Sequence, residues 1–252
     1  MAAVNLREML GPRHPQVGNT RFIAVDGRGG SGKSTLAKYL SEKLSAEIVQ
    51  TDDFASWENP FGWWPLLIEQ VFQPIISGAC TLQYPRASWS NDHHPMPVTA
   101  QAVTEIMILE GVSSSRKEFR QYVCLSIFID APKDICLRRG VERDLLKGKR
   151  TESELIRLWE RWSADEDGYL QRDSPKQHAD VVIDGTRPFE DQLVFGLPSF
   201  RKSRLSGPTQ ALATVQEPSQ TNPFLLLHPW SARETGGISS RIALPPQFHP
   251  LP

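Results

Sequence analysis

An α/β layered fold around a five-stranded, mostly parallel sheet is predicted by three observations. Five short runs rich in Val, Ile and Phe recur along the chain, helical patterns separate them, and a glycine-rich loop joins the first run to the first helix. The runs are "RFIAVD" (21–26), "EIVQT" (47–51), "EIMIL" (105–109), "VCLSIFID" (123–130) and "DVVID" (180–184). Each is close to continuously apolar rather than alternating, the pattern of parallel strands covered on both faces.

The elements between them follow in order. Residues 34–44 place Leu36, Leu40 and Leu44 on one helical stripe. The stretch 57–97, with "WENPFGWWP" and "YPRASWSNDHHPMP", predicts a helix over 65–76 and then an irregular insert or hairpin. Its aromatics either pack a small subdomain or meet an acceptor substrate, because recognition residues concentrate in such connections. Residues 132–146 open with a proline suited to a first helical turn. "TESELIRLWERW" sets Glu154 three residues after Thr151, a capping box followed by Leu155, Leu158, Trp159 and Trp162. From 197 to 252 the character changes: nine of the 20 prolines fall here, with no sustained periodicity. That composition predicts a disordered tail after a 1–196 domain, with the apolar "NPFLLLHPW" an incidental patch in it.

Composition excludes several classes. Among 252 residues, 28 basic and 29 acidic side chains leave a net charge of -1, so no global field would recruit nucleic acid or an anionic membrane. Three cysteines, Cys80, Cys124 and Cys136, lack C-x-x-C spacing and point to reduced thiols rather than a disulfide framework or a zinc site. The start lacks a secretory signal and no run reaches the length of a membrane span, so a cytoplasmic protein is expected.

The loop "VDGRGGSGKSTLA" fits two templates. Gly27, Gly29 and Gly32 spell the dinucleotide G-x-G-x-x-G, with Asp52 and Asp53 downstream; Gly27 to Ser34 also spell the phosphate loop G-x-x-x-x-G-K-S. The second explains more. Backbone N–H groups from Gly27, Arg28, Gly29, Gly30, Ser31 and Gly32 would wrap phosphates, Lys33 would reach the β and γ oxygens, and Ser34, followed by Thr35, would offer a hydroxyl to Mg²⁺. The dinucleotide reading leaves Lys33 without a purpose.

Carboxylates and cations complete the set. Asp52 closes the second strand beside the loop and can accept the proton of an attacking hydroxyl. Glu110 ends the third strand in "ILEG" and can hold Mg²⁺ directly or through water. Arg139 and Arg143 stand four apart on one helix face, where they can clamp a triphosphate or simply face solvent. His93 and His94 have no partner at metal-ligand spacing.

In the order "VDGRGGSGKSTLA", "TDDF", "YPRASW", "ILEGV", "RRGVERD" and "ADVVIDG", the chain resembles the uridine kinase family of phosphate-loop kinases, in its bacterial uridine kinase-like branch, over about residues 4–190. The resemblance implies a P-loop NTPase of nucleoside-kinase-like, three-layer architecture that uses ATP and Mg²⁺ to phosphorylate a hydroxyl. It implies Asp52 as base on a nucleoside 5′-hydroxyl, Glu110 as metal-associated acid, and Arg139 and Arg143 as lid arginines. Tyr84, with Arg86 and Trp89, falls where the family carries its acceptor-site tyrosine. The chain departs from the family in the divergent "YPRASWSNDHHP" and in "LLKGKR", which only partly reproduces an arginine-rich stretch. The expected partner is therefore a small-molecule acceptor, first of all uridine or cytidine. The alternatives are a nucleotide-binding regulatory module, or a kinase of another small metabolite such as pantothenate or a sugar.

Overall fold

The computed structural model describes residues 4–11, 13–87 and 97–195. The expected tail, and Trp89, His93 and His94 in the insert, lie outside the described residues. The chain opens with β1 (Val4–Asn5) and the short helix α1 (Leu6–Leu10), whose Asn5 side chain caps the first turn. β2 (Arg21–Gly27) delivers the glycine loop to α2 (Lys33–Leu44), and β3 (Glu47–Gln50) ends in one 3₁₀ turn, Thr51–Asp53. The helix expected over 65–76 is α3 (Trp64–Leu67), a π turn (Ile68–Phe72) and α4 (Gln73–Ile76). The wide turn precedes Pro74, which has no N–H to donate four residues back and whose ring crowds that carbonyl.

The insert is an antiparallel hairpin, β4 (Thr81–Pro85) with β5 (Val98–Ala102). Then come β6 (Ile106–Glu110), β7 (Val123–Asp130), α5 (Lys133–Leu145), α6 (Glu152–Asp173), α7 (Pro175–His178), β8 (Val181–Asp184) and β9 (Leu193–Val194). Thr151 and Glu154 form the capping box read from the sequence. β1 and β9 were not expected: each is two residues long, and their pairing joins opposite ends of the described chain.

Five parallel strands lie in the order β3-β6-β2-β7-β8. β2 is central, so the chain turns to opposite sides of it and opens a crevice at the carboxyl end of the sheet. Side chains alternate between the faces. Ile23, Val25 and Ile108 pack with Leu36 and Leu40 of α2 on one side; Phe22, Met107 and Leu109 pack with Leu67, Val71, Phe72 and Ile75 on the other. Each fully buried Leu or Phe contributes about 1.5–3 kcal/mol through removal of apolar surface from water. Trp63, 1% exposed, belongs to the second cluster, which gives part of the tryptophan-rich stretch a packing role.

Candidate active site

At the carboxyl end of the sheet a cavity of about 800 Å³ opens above the glycine loop. Gly29, Gly30, Gly32, Lys33, Ser34 and Thr35 line its floor; Asp52, Glu110, Arg139, Arg143 and the indoles of Trp57, Trp159 and Trp162 line its walls. Residues from far apart in the chain meet because each strand ends at this edge. Parallel pairing sets Glu110 level with Val25 of β2 and Gln50 of β3, one residue before the 3₁₀ turn that carries Asp52.

The loop geometry depends on its glycines. Gly30 has φ of 79° and a Cβ there would run into the Cys136 carbonyl, so no L side chain fits without moving α5. The buried Lys33 donates from Nζ to the Arg28 carbonyl at 2.8 Å, a bond that folds its ammonium back across the loop. The first N–H groups of α2 lack intrahelical partners by construction, and the helix dipole adds positive potential at the same point. A floor of this kind is suited to an anion.

Beside that floor is an oxygen cluster. Ser34 Oγ donates to Glu110 Oε1 at 3.1 Å. Burial raises the Glu110 pKa; Lys33 opposes the rise, while Asp52 and Asp26 add to it. Asp52 faces the cavity, and burial likewise raises its pKa against the pull of Lys33 and Arg143. A hydroxyl and nearby carboxylates are the donor chemistry a hard divalent cation accepts. Among the described residues there is no group of three His, Cys, Asp or Glu side chains able to hold a metal, so these oxygens fit a cation that keeps waters or phosphate ligands.

Arg139 and Arg143, the arginines expected in a lid, have different partners. Arg139 Nη1 donates to the Gly185 carbonyl at 2.9 Å. Arg143 lies over the Trp159 ring, 5.4 Å from its centroid, and donates from Nε to Asp144 at 3.1 Å. Asp144 also accepts from Lys147 at 2.8 Å and from the Trp159 indole at 3.0 Å; these donors outweigh its burial and hold its pKa below the usual carboxylate value. Lys147 and Arg150 line the same cavity.

Not every residue singled out in the sequence lines it. Gly27, Arg28 and Ser31 shape the loop from outside the cavity wall. Tyr84 is 1% exposed and packs against Phe54, with ring centroids 4.9 Å apart; burial and the neighbouring Asp53 raise its pKa far above the phenol's usual value. Arg86 is half-exposed and pairs with Asp53 at 2.6 Å, and Thr99 donates to the same carboxylate at 3.3 Å. Asp53 therefore anchors the hairpin while its neighbour Asp52 faces the cavity.

Three features were missed in the sequence. Asp26, fully buried, accepts from Gly27 N, Ser113 N, Ser115 N, Ser115 Oγ and the Tyr169 hydroxyl at 2.6–3.1 Å, which ties the loop entry to β6's exit and to α6. Glu166 accepts the Gly29 N–H at 2.6 Å. Phe61 stacks on Trp162 and Tyr169, with centroids 5.6 and 5.7 Å away. A signal did exist: Trp159, Trp162, Glu166, Tyr169 and Asp173 follow helical spacing, so two acids sit on the buried stripe of an amphipathic helix.

A central β-strand, a G-x-x-x-x-G-K-S loop opening a helix, and a parallel five-stranded sheet with the cavity at its carboxyl edge define the class as a phosphate-loop kinase fold. The similarity to the uridine kinase family holds. The model of the phosphoribulokinase / uridine kinase family matches residues 68–189. The uridine kinase of Aeromonas hydrophila is 28% identical over 187 residues, covering 64% of this chain and 85% of that protein. That of Borrelia duttonii is 27% identical over 201 residues, covering 73% and 95%. Among solved structures, one titled a possible uridine kinase from Bacillus stearothermophilus aligns at 22% identity and a TM-score of 0.48, over 66% of this chain and 89% of its own. The coarse activity these similarities support is ATP-dependent phosphorylation of a small molecule. No helix among the described residues is long and apolar enough to cross a membrane.

Proposed function

We propose that the protein transfers the γ-phosphoryl group of ATP, with Mg²⁺, to a nucleoside hydroxyl, the 5′-hydroxyl of uridine or cytidine. The observation that carries this reading is the meeting of Lys33, the Ser34–Glu110 pair and Asp52 at one cavity. Phosphoryl transfer asks little covalent chemistry of a protein and much positioning and charge stabilisation. Here the loop amides and Lys33 bind phosphate oxygens, and Arg139 and Arg143 approach from the lid. Ser34 and Glu110 would hold Mg²⁺, which when bound supplies charge neutralisation between phosphate oxygens. Asp52 orients the acceptor hydroxyl and takes its proton, a task its raised pKa favours by making the carboxylate a stronger base. Trp57 and Trp162, whose rings meet edge to face at 6.3 Å, give the cavity an aromatic wall suited to a flat base.

The test is acceptor-dependent ADP release measured across nucleosides, pantothenate and small sugars. Release driven by uridine or cytidine is expected; stimulation only by another acceptor overturns the nucleoside assignment, and stimulation by none overturns acceptor turnover. Asp52→Asn should lower kcat by about 100-fold or more, within the range for general-base catalysis, and leave ATP affinity nearly intact. Equal losses in both would rule out the proton-accepting role.

A further inference from the structure

Glu166 is a buried acid that phosphoryl transfer, as described above, leaves without a task. It is 1% exposed, and its carboxylate is gripped by the Gly29 N–H at 2.6 Å and the Trp162 indole N–H at 2.7 Å, with Arg28 Nη1 at 3.7 Å. Arg28 is shared, because its other terminal nitrogen bonds Asp167, which also accepts from Lys133 at 2.6 Å. Burial raises the Glu166 pKa, while the Gly29 N–H, Lys33, the Trp162 indole and Arg28 oppose the rise by favouring the charged carboxylate. Two of these groups, the Gly29 amide and Lys33, are parts of the phosphate-binding floor.

The carboxylate is fixed from both sides. A Cβ on Gly29 would come within 2.8 Å of the Trp159 ring, so loop and α6 touch directly. One turn beyond Glu166, the Tyr169 hydroxyl bonds Asp26 at 2.6 Å and ties the helix to the loop entry a second time. Retreat of the carboxylate would break both of its hydrogen bonds, to the Gly29 N–H and the Trp162 indole, at once.

We propose that Glu166 sets how tightly the site holds the outermost phosphate, weakening triphosphate binding relative to diphosphate. The inference rests on the kinase reading above. A charge fixed in a water-poor setting repels added negative charge more strongly than it would in bulk water. ATP and ADP differ by one phosphate, at the end that a phosphate-loop lysine reaches. Restraining the grip on the transferring group in the ground state leaves binding interactions to be realised in the transition state.

The experiment is calorimetric titration of the full chain with Mg²⁺ and either ADP or a non-hydrolysable ATP analogue, alongside thermal melts of each variant. Wild type should bind both nucleotides. Glu166→Gln, which removes the charge and keeps the shape, should raise the ratio of analogue to ADP affinity by about fivefold or more. Glu166→Met, neutral and of similar length, carries the same expectation should the amide variant fail to fold. Glu166→Asp keeps the charge and should leave the ratio within about twofold of wild type. Equal changes in both affinities, or none, overturn the proposal and make Glu166 a brace between helix and loop. Failure of wild type to bind either nucleotide removes the kinase reading, and this inference with it.

Discussion

Lys33 brings a buried ammonium into a cavity that the Glu110 and Asp52 carboxyls also line, and it opposes the rise in pKa that burial gives both acids. Burial raises the Glu110 pKa above its ordinary 4.5, so the folded state favours the protonated acid. Stability from that source is present below the ordinary value and is lost as the pH rises through the folded-state pKa. Glu110→Gln should therefore show a melting temperature that gains on wild type between about pH 5 and about pH 7.5; a constant difference across that range would contradict the assignment. Lys33→Ala should lose turnover, and a variant that kept ATP binding and turnover would reopen the choice between the two glycine templates. The sequence marks Lys33, Ser34 and Glu110 because they stand at fixed offsets in a loop or at a strand end. It does not mark Asp26, whose five hydrogen-bond donors come from segments 87 to 143 residues away as well as from its own neighbour.

α6 is the element on which most of the site leans. Its start is set locally: Thr151 accepts from the Glu154 N–H, and Glu154 accepts in return from the Thr151 N–H at 2.8 Å. Thr151→Ala should cost about 1 kcal/mol of stability, read from denaturant unfolding. Its buried face is set by distant partners, Phe61 from the insert and Gly29 from the loop. The loop itself is equally unforgiving. Gly30→Ala should sharply weaken nucleotide binding in the same calorimetric titration, because both the positive φ and the Cys136 carbonyl oppose a side chain. The five main strands were legible to within a residue or so because continuous apolar runs mark them. The π turn before Pro74 was not, since a helical apolar stripe reads alike whichever turn width carries it.

Across the whole molecule, the cavity draws on the ends of β3 and β6, the glycine loop, α5, α6 and the segment after β8. A ligand that bridges them should stabilise the fold as a unit. With a non-hydrolysable ATP analogue and Mg²⁺ at about 100 times Kd, a gain of about 2.7 kcal/mol is expected, measured as a rise in Tm. No rise would contradict nucleotide binding. The order of apolar runs and helices by itself determined the α/β class, the phosphate loop and the carboxylates at strand ends, because these follow from local periodicity and short spacings. Only the tertiary structure decided which neighbour of an adjacent pair faces the cavity. Asp52 lines it while Asp53 turns to Arg86 and Thr99; Tyr84, expected beside an acceptor, is buried against Phe54. Glu166 likewise looks in sequence like one more acid of a charged helix. It becomes a partner of the glycine loop because folding sets α6 against Gly29, and a buried carboxylate must lie where donors can satisfy it.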